Sequence, residues 1–202
     1  MVEKNEIVEY VQNVKFPLSS VQEEKIIHFL SHFNNWNKVH NLTSVRSISA
    51  QVRELLYPSL QLFSSVKPYT KLIDLGSGGG FPGVILAILD EEKSWKLVEK
   101  SQKKSNFLRF CKQALSLNNI EVCQQDFLAM PVTGDIGAIV SRGSAKLERQ
   151  IVWTKPWRDK GCVLISVQSE KSLHEAGVKE SMKSIVLEGR VRSGALRVVM
   201  VR

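Results

Sequence analysis

The sequence has only three cysteines among 202 residues. Cys111, Cys123 and Cys162 are odd in number and widely spaced, and no CxxC pair or Cys/His cluster accompanies them. This pattern excludes a disulfide framework and a zinc-finger type of metal site. The sequence therefore predicts free thiols in a reducing compartment and predicts no metal site.

Long hydrophobic runs are also missing. No apolar stretch approaches the ~18 residues that a membrane-spanning helix requires. The N-terminus, Met1–Glu6, is polar and acidic with no apolar segment behind it, which argues against a secretory signal. We therefore expect a cytoplasmic protein with no membrane partner, and the 43% hydrophobic content is typical of an ordinary globular chain.

Acidic residues are fewer than basic ones, since 20 Asp and Glu stand against 28 Lys and Arg, a net charge of +8. Residues 136–202 hold 13 basic and 6 acidic side chains, whereas residues 71–135 are balanced. A basic surface suits a polyanion such as nucleic acid, but solvated Lys and Arg without a partner would give the same counts. Charge alone leaves these two alternatives level.

The hydrophobic pattern divides the chain near residue 70. Residues 1–70 follow helical spacing and predict a helical N-terminal extension, with a capping-box-like helix start at Ser19 or Ser20 and Glu23. Residues 71–202 alternate apolar strands with helices, which predicts an α/β domain with a doubly wound, mostly parallel sheet and an antiparallel hairpin at one edge. The predicted strands cover residues 71–75, 95–98, 120–123, 136–140, 162–167, 185–187 and 196–201.

The most informative segment runs from Leu72 to Gly83. An apolar strand ends at Asp74 and Leu75, four glycines follow within five positions, and a proline precedes an apolar helix. The segment 78–83 matches the dinucleotide fingerprint GxGxxG, whereas the segment 74–80 resembles the first motif of class I S-adenosylmethionine-dependent methyltransferases. A carboxylate here would favour the ammonium and sulfonium of S-adenosylmethionine and would disfavour the phosphates of a dinucleotide.

Further candidate cofactor residues follow the next two strands. Glu99 ends the second strand, 23 residues after Gly76, and a carboxylate there can accept both ribose hydroxyls in either class of cofactor. Asp126 follows the third strand and could accept a hydrogen bond from the adenine amino group, with Phe127 and Leu128 covering the ring. The alternative for Asp126 is a loop residue in water.

Three segments together resemble the glucose-inhibited division protein B family, whose members are bacterial methyltransferases of guanine N7 in 16S ribosomal RNA. They are Trp36–Arg46 (WNKVHNLTSVR), Leu72–Gly83 and Ser141–Leu147 (SRGSAKL). The resemblance implies S-adenosylmethionine as the cofactor, with contacts from Gly76, Phe81, Phe127, Leu128 and Arg142. Analogy with the whole methyltransferase class adds Asp74, Gly78 and Glu99.

The chain departs from the family pattern at three places. Glu54 and Tyr57 stand where members usually carry His and Asp, and Asp126-Phe127-Leu128 stands where members often have Arg-x-Glu. Gln168-Ser169 replaces an expected Lys-Gly pair. The cofactor loop is intact, so the departures bear on the substrate rather than on the cofactor.

The resemblance also implies a mechanism without a general base, because guanine N7 carries a free lone pair and needs only alignment with the methyl group. Arg142 is our hypothesis for a catalytic residue, orienting the base or offsetting developing charge. The expected partner is 16S ribosomal RNA or the small ribosomal subunit, and we expect a monomer. The alternatives are a methyltransferase for another RNA site or a small molecule, an NAD-dependent oxidoreductase, and a non-catalytic RNA-binding protein.

Overall fold

The computed structural model describes residues 2–175, 184–191 and 194–202. The part before residue 70 is helical, as predicted, and a π turn at Val52–Leu56 interrupts it. The helices are α1 (Val2–Gln12), α2 (Ser20–His40), α3 (Ile48–Gln51), α4 (Tyr57–Gln61) and α5 (Phe63–Val66). No helix in the described residues is both long and apolar enough to cross a bilayer.

Helix α2 begins with a capping box, but its second partner differs from the prediction. The Ser19 hydroxyl accepts a hydrogen bond from the Gln22 amide at 3.2 Å, and the Gln22 side chain accepts one from the Ser19 amide at 2.9 Å. Gln22 therefore fills the place predicted for Glu23, because it is the residue three positions after the cap.

The second part of the chain forms one seven-stranded sheet in the order β3-β2-β1-β4-β5-β7-β6. The first five strands pair in parallel, while β7 runs antiparallel between β5 and β6, so the predicted edge hairpin is confirmed. The elements are β1 (Lys71–Leu75), α6 (Gly83–Leu89), β2 (Ser94–Val98), α7 (Gln102–Ala114), β3 (Ile120–Cys123), β4 (Ala138–Arg142), α8 (Leu147–Arg158), β5 (Val163–Ser169), α9 (Glu170–Glu175), β6 (Ser184–Val191) and β7 (Gly194–Val201).

Two strand boundaries differ from the prediction in a way that matters for the site. Strand β4 ends at Arg142 rather than at residue 140, and β5 extends to Ser169 rather than to residue 167. Polar residues end both strands: Arg142 at the end of β4 lies opposite Val167, and Gln168 and Ser169 at the end of β5 pair with β7. An apolar pattern cannot reveal such polar strand ends, so the prediction stopped too early.

Each face of the sheet has its own hydrophobic core. Helices α2, α6 and α7 pack on one face through buried side chains that include Phe29, Phe33, Ile85 and Phe107. Helix α8 covers the other face, where Trp157 stacks on Phe127 with ring centroids 4.7 Å apart. The N-terminal helices therefore share a core with the sheet. Phe29 and Phe33 of this core also lie against Gly80 and Gly79 of the glycine-rich loop, residues 76–83.

Candidate functional site

The glycine-rich loop leaves β1 at the carboxyl ends of the parallel strands. The amides of Gly76 and Ser77 both donate to the Val98 carbonyl at the end of β2, at 2.9 and 3.1 Å. Gly76 and Gly78 have φ angles of 73° and 55°, which disfavour a side chain. A Cβ on Gly76 would also stand 2.7 Å from the Cβ of Ser144, so the loop allows only glycine there.

Glu99 holds this loop from the end of β2, where the sequence predicts it. One carboxylate oxygen accepts from the Gly78 amide at 2.9 Å and the other from the Ser101 amide at 2.8 Å. A carboxylate has about four acceptor positions, so Glu99 can take further donors such as hydroxyl groups.

Asp74 is buried at the end of β1, with 1% of its surface exposed. Its Oδ2 accepts from the Gly83 amide at 3.1 Å and so ties the strand end to the start of α6. Its Oδ1 has no hydrogen-bond partner among the described residues. Burial raises the pKa of the Asp74 carboxyl from its ordinary value of 3.8 to about 7, against the opposing effect of the hydrogen bonds and of Arg142.

Gly83 leaves no room for a larger residue beside Asp74. A Cβ there would contact Asp74 Oδ2 and would lie 2.6 Å from Leu97 Cδ2. We expect Gly83→Ala to lower the free energy of unfolding by about 3 kcal/mol because the packed strand end must move. Gly134→Ala is the control, since its Cβ would meet nothing nearer than Lys160 at 3.9 Å. Urea unfolding of both variants measures the effect, and equal stability of the two would contradict it.

The Asp74 pKa makes stability depend on pH in a defined direction. Because the folded carboxyl titrates near 7 and the unfolded one near 3.8, the folded state binds more protons between these values. Stability therefore falls as pH rises from about 4 to 7. We expect the difference in free energy of unfolding between Asp74→Asn and the wild type to shift in favour of the variant by about 4 kcal/mol as pH rises from about 4 to 7. Thermal unfolding at a series of pH values tests this, and parallel curves for the two proteins would contradict it.

A cleft of about 760 Å³ opens beside the loop at the carboxyl ends of β1, β2 and β4, and we call it the first cleft. Its volume falls within the ~300–1,000 Å³ typical of ligand sites. The structure brings together here six of the nine residues predicted to bind a cofactor: Gly76, Gly78, Glu99, Asp126, Phe127 and Leu128. Asp126 caps the following 3₁₀ turn, because its side chain accepts from the Leu128 amide at 2.9 Å.

The other three predicted cofactor residues lie outside the lining of the first cleft. Asp74 is buried beneath the loop. The ring of Phe81 packs edge-to-face on Phe29 and Phe33, with centroids 5.1 and 5.0 Å apart, and so joins the loop to α2. Arg142 lines a neighbouring cleft. Direct contact of any of the nine residues with a cofactor stays a prediction.

This second cleft has a volume of about 440 Å³ and shares Gly143 with the first. Arg142 Nη2 donates to the Glu54 carbonyl at 2.8 Å and Nη1 to the Leu55 carbonyl at 3.4 Å, which fixes the π turn against the end of β4. Burial lowers the pKa of the Arg142 guanidinium to about 10, although Asp74 and Glu54 act in the opposite direction. The guanidinium is therefore a positive charge held at the base of this cleft.

The segment at Trp36–Arg46 supports the second cleft structurally. The Asn37 side chain accepts from the Thr43 amide at 2.8 Å and donates to the Val45 carbonyl at 3.2 Å. Ser44 and Val45 line the second cleft beside these contacts. Trp36 is partly buried against Phe107, so it packs within the core.

Several residues that line the first cleft were not predicted from the sequence. Trp153 lines the first cleft from α8, and Ser144 lies beneath Gly76, yet nothing in their local pattern indicates this. Lys100, Lys104 and Arg149 also line this cleft. Within the described residues, no group of three His, Cys, Asp or Glu side chains could hold a metal ion.

Comparison of the sequence with known proteins identifies one family. The GidB family, described as rRNA small subunit methyltransferase G, matches residues 22–193. Ribosomal RNA small subunit methyltransferase G of Dichelobacter nodosus is 33% identical over 70% of this chain and 67% of its own length. The protein of the same name from Marinobacter nauticus is 38% identical over 67% of this chain, and the match spans 63% of that relative.

Two solved structures share the fold. Cofactor-bound Rv0187 from MTB aligns over 89% of this chain and 90% of its own with a TM-score of 0.60 and 15% identity. A SAM dependent methyltransferase from Aquifex aeolicus aligns over 76% of this chain and 93% of its own, with a TM-score of 0.55 and 13% identity. The predicted α/β doubly wound architecture is confirmed.

Proposed function

The chain belongs to the rRNA small subunit methyltransferase G family, and we propose that it transfers a methyl group from S-adenosylmethionine to N7 of a guanine in 16S ribosomal RNA. The observation that carries the proposal is the first cleft, where the glycine-rich loop and Glu99 meet at the carboxyl ends of β1 and β2. Nucleoside cofactors bind at this position in open α/β sheets.

The residues of the first cleft fit S-adenosylmethionine. Glu99 has acceptor capacity for the ribose hydroxyls, and Asp126, Phe127 and Leu128 line the same cleft, where they would hold the adenine. Gly76 and Gly78 let the ligand approach the backbone. Asp74 Oδ1 has no hydrogen-bond partner among the described residues, but Asp74 lies outside the lining of the first cleft, so its contact with the ammonium group stays a prediction.

When bound, S-adenosylmethionine supplies an electrophilic methyl group on a sulfonium. Guanine N7 has a lone pair at neutral pH, so the residues of this chain need only hold the two reactants in line and exclude water. Arg142 is not among the residues that line the first cleft, and it would act by fixing the π turn through the carbonyls of Glu54 and Leu55. The hypothesis that Arg142 is catalytic becomes a proposal for a positioning residue.

The surroundings of the first cleft suit an RNA partner. Lys100, Lys104, Lys146 and Arg149 line it and can contact phosphates near the target nucleotide. An accessible loop or bulge guanine is the expected target, because the deep major groove of A-form RNA shields N7. We further propose a monomer that acts in the cytoplasm without a membrane, built from a helical extension of residues 1–70 and a cofactor-binding domain of residues 71–202.

Labelled substrate tests the proposal. Ribosomal RNA and small subunits from a strain deleted for this gene are incubated with the protein and tritiated S-adenosylmethionine. We expect label in 16S RNA, and calorimetry should show binding of S-adenosylmethionine but not of NAD. Binding of NAD alone would favour an oxidoreductase. Binding of neither cofactor would favour a non-catalytic RNA-binding protein.

A further inference from the structure

The second cleft continues the first one along the same sheet edge, at the carboxyl ends of β4 and β5. The two clefts meet at Gly143, which lines both. The second cleft, about 440 Å³, is at the small end of the ~300–1,000 Å³ range of ligand sites. Its size suits one unstacked base beside a larger site for a nucleoside cofactor.

Two buried polar residues line the second cleft from opposite elements. Glu54 comes from the π turn and Gln168 from the end of β5, and they are 6% and 7% exposed. Gln168 donates from Nε2 to the Ser166 hydroxyl at 2.9 Å and accepts at Oε1 from the Ser172 hydroxyl at 3.1 Å. Its amide keeps a second N–H donor, since a carboxamide has two.

Glu54 already has partners within the protein, and its carboxylate would accept the donors of a base in addition to them. Oε1 accepts from Arg53 Nη2 at 3.0 Å, and the Arg53 side chain is 57% exposed. A carboxylate offers about four acceptor positions in total. Arg142 fixes the Glu54 backbone through its carbonyl, and Glu54 is among the residues that line the second cleft.

A buried hydrogen-bond chain links the two clefts. Gln150 Nε2 donates to Ser144 Oγ at 3.4 Å, and Gln150 Oε1 accepts from Ser166 Oγ at 2.6 Å. Ser166 is in turn the acceptor for Gln168. Ser144 lines the first cleft and Gln168 the second, so the chain fixes both sites in one frame.

We infer that the second cleft is the acceptor subsite and that it reads guanine through Glu54 and Gln168. Guanine presents two adjacent N–H donors, N1–H and N2–H₂, which match the Glu54 carboxylate, and next to them O6, which matches the second N–H of Gln168. N7 lies on the same edge of guanine as O6, so in this orientation it would face Gly143, which also lines the first cleft. The inference rests on the proposed function.

This arrangement also favours the reaction itself. The methyl group leaves the sulfur and bonds to N7, the sulfur keeps the electron pair of the broken bond, and no proton is transferred. The guanine ring thereby gains a positive charge. A carboxylate hydrogen-bonded to N1–H attracts this charge more strongly in the transition state than in the ground state, which accelerates transfer.

Exchanging both the residue and the base tests the inference. RNA carrying guanine or inosine at the mapped nucleotide is methylated by the wild type and by Glu54→Gln, and kcat/KM is measured for each pair. Inosine lacks the N2 amino group, so we expect the wild type to lose about tenfold or more on inosine. Glu54→Gln should lose activity on guanine and show nearly equal rates on the two bases.

A control variant and a second measurement distinguish a change in base recognition from a loss of folded protein. Glu121→Gln, whose side chain is 66% exposed on β3, should keep the wild-type ratio between the bases. With S-adenosylhomocysteine present to prevent turnover, 6-thioguanine at the same nucleotide should crosslink to peptides that contain Glu54 or Gln168.

Three results would overturn the inference, and they are distinguishable. An unchanged guanine-to-inosine ratio in Glu54→Gln, or crosslinks confined to peptides of the first cleft, would exclude the second cleft as the base site while leaving the methyltransferase function intact. Failure of the wild type to methylate the guanine RNA would overturn both the inference and the proposed function.

Discussion

Replacing Glu99 by alanine is expected to weaken S-adenosylmethionine binding about 100-fold or more. The carboxylate would bind the ribose hydroxyls, and each hydrogen bond to a charged group contributes about 1.5–3 kcal/mol. The variant also loses the bonds to the Gly78 and Ser101 amides, at 2.9 and 2.8 Å, so the loop loses its support.

Titration calorimetry with S-adenosylmethionine and with S-adenosylhomocysteine measures the effect of this change. Glu121→Ala is the matched control, because this glutamate lies on the edge strand β3 with its side chain 66% exposed. A dissociation constant for Glu99→Ala within about threefold of the wild type would remove Glu99 from the cofactor site, because even one hydrogen bond of about 1.5 kcal/mol to a charged group changes affinity more than that.

Arg142→Ala is expected to lower kcat/KM for methyl transfer about 100-fold while changing the affinity for S-adenosylmethionine far less. The guanidinium holds the carbonyls of Glu54 and Leu55, so its removal releases the π turn that forms one wall of the second cleft. Asp74 also loses its neighbouring cation. Removing one partner of a buried, hydrogen-bonded charge costs on the order of 3 kcal/mol of stability. A loss of that size in the positioning of the acceptor corresponds to about 100-fold in kcat/KM.

Steady-state kinetics at saturating S-adenosylmethionine, combined with calorimetry, separates the two effects of Arg142→Ala. Arg142→Lys should recover only part of the activity, because an ammonium cannot reproduce the planar fork that contacts two carbonyls. Arg109→Ala is the control, since Arg109 is exposed and bonds to Asn106 and Gln124. Full activity of Arg142→Ala would show that Arg142 has no role in positioning the acceptor.

Local sequence signals were sufficient to predict six of the residues that line the first cleft. Leu72–Gly83 shows its strand, turn and helix directly, because positions with φ angles of 73° and 55° need glycine and leave a visible pattern. Glu99 and Asp126 are identified by the rule that ligands bind at the carboxyl ends of parallel strands. These signals predicted six residues that the structure brings into one cleft.

The second cleft could not be predicted in the same way, because its walls are distant in the sequence. Glu54, Arg142 and Gln168 meet only after the N-terminal helices pack against the sheet. The π turn that carries Glu54 has no local signature, and apolar periodicity hides the polar ends of β4 and β5. The direct roles of all nine predicted residues toward a cofactor stay predictions, as does the division at residue 70.

One measurement tests the central claim most directly, which is methyl transfer to guanine N7 in 16S ribosomal RNA. RNA from the deletion strain is treated with the protein and S-adenosylmethionine and then cleaved chemically at 7-methylguanosine, with primer extension to locate the break. We predict cleavage at a single guanine of 16S RNA that is absent without the protein and absent with Glu99→Ala. The absence of protein-dependent cleavage at any guanine of 16S RNA would contradict this claim.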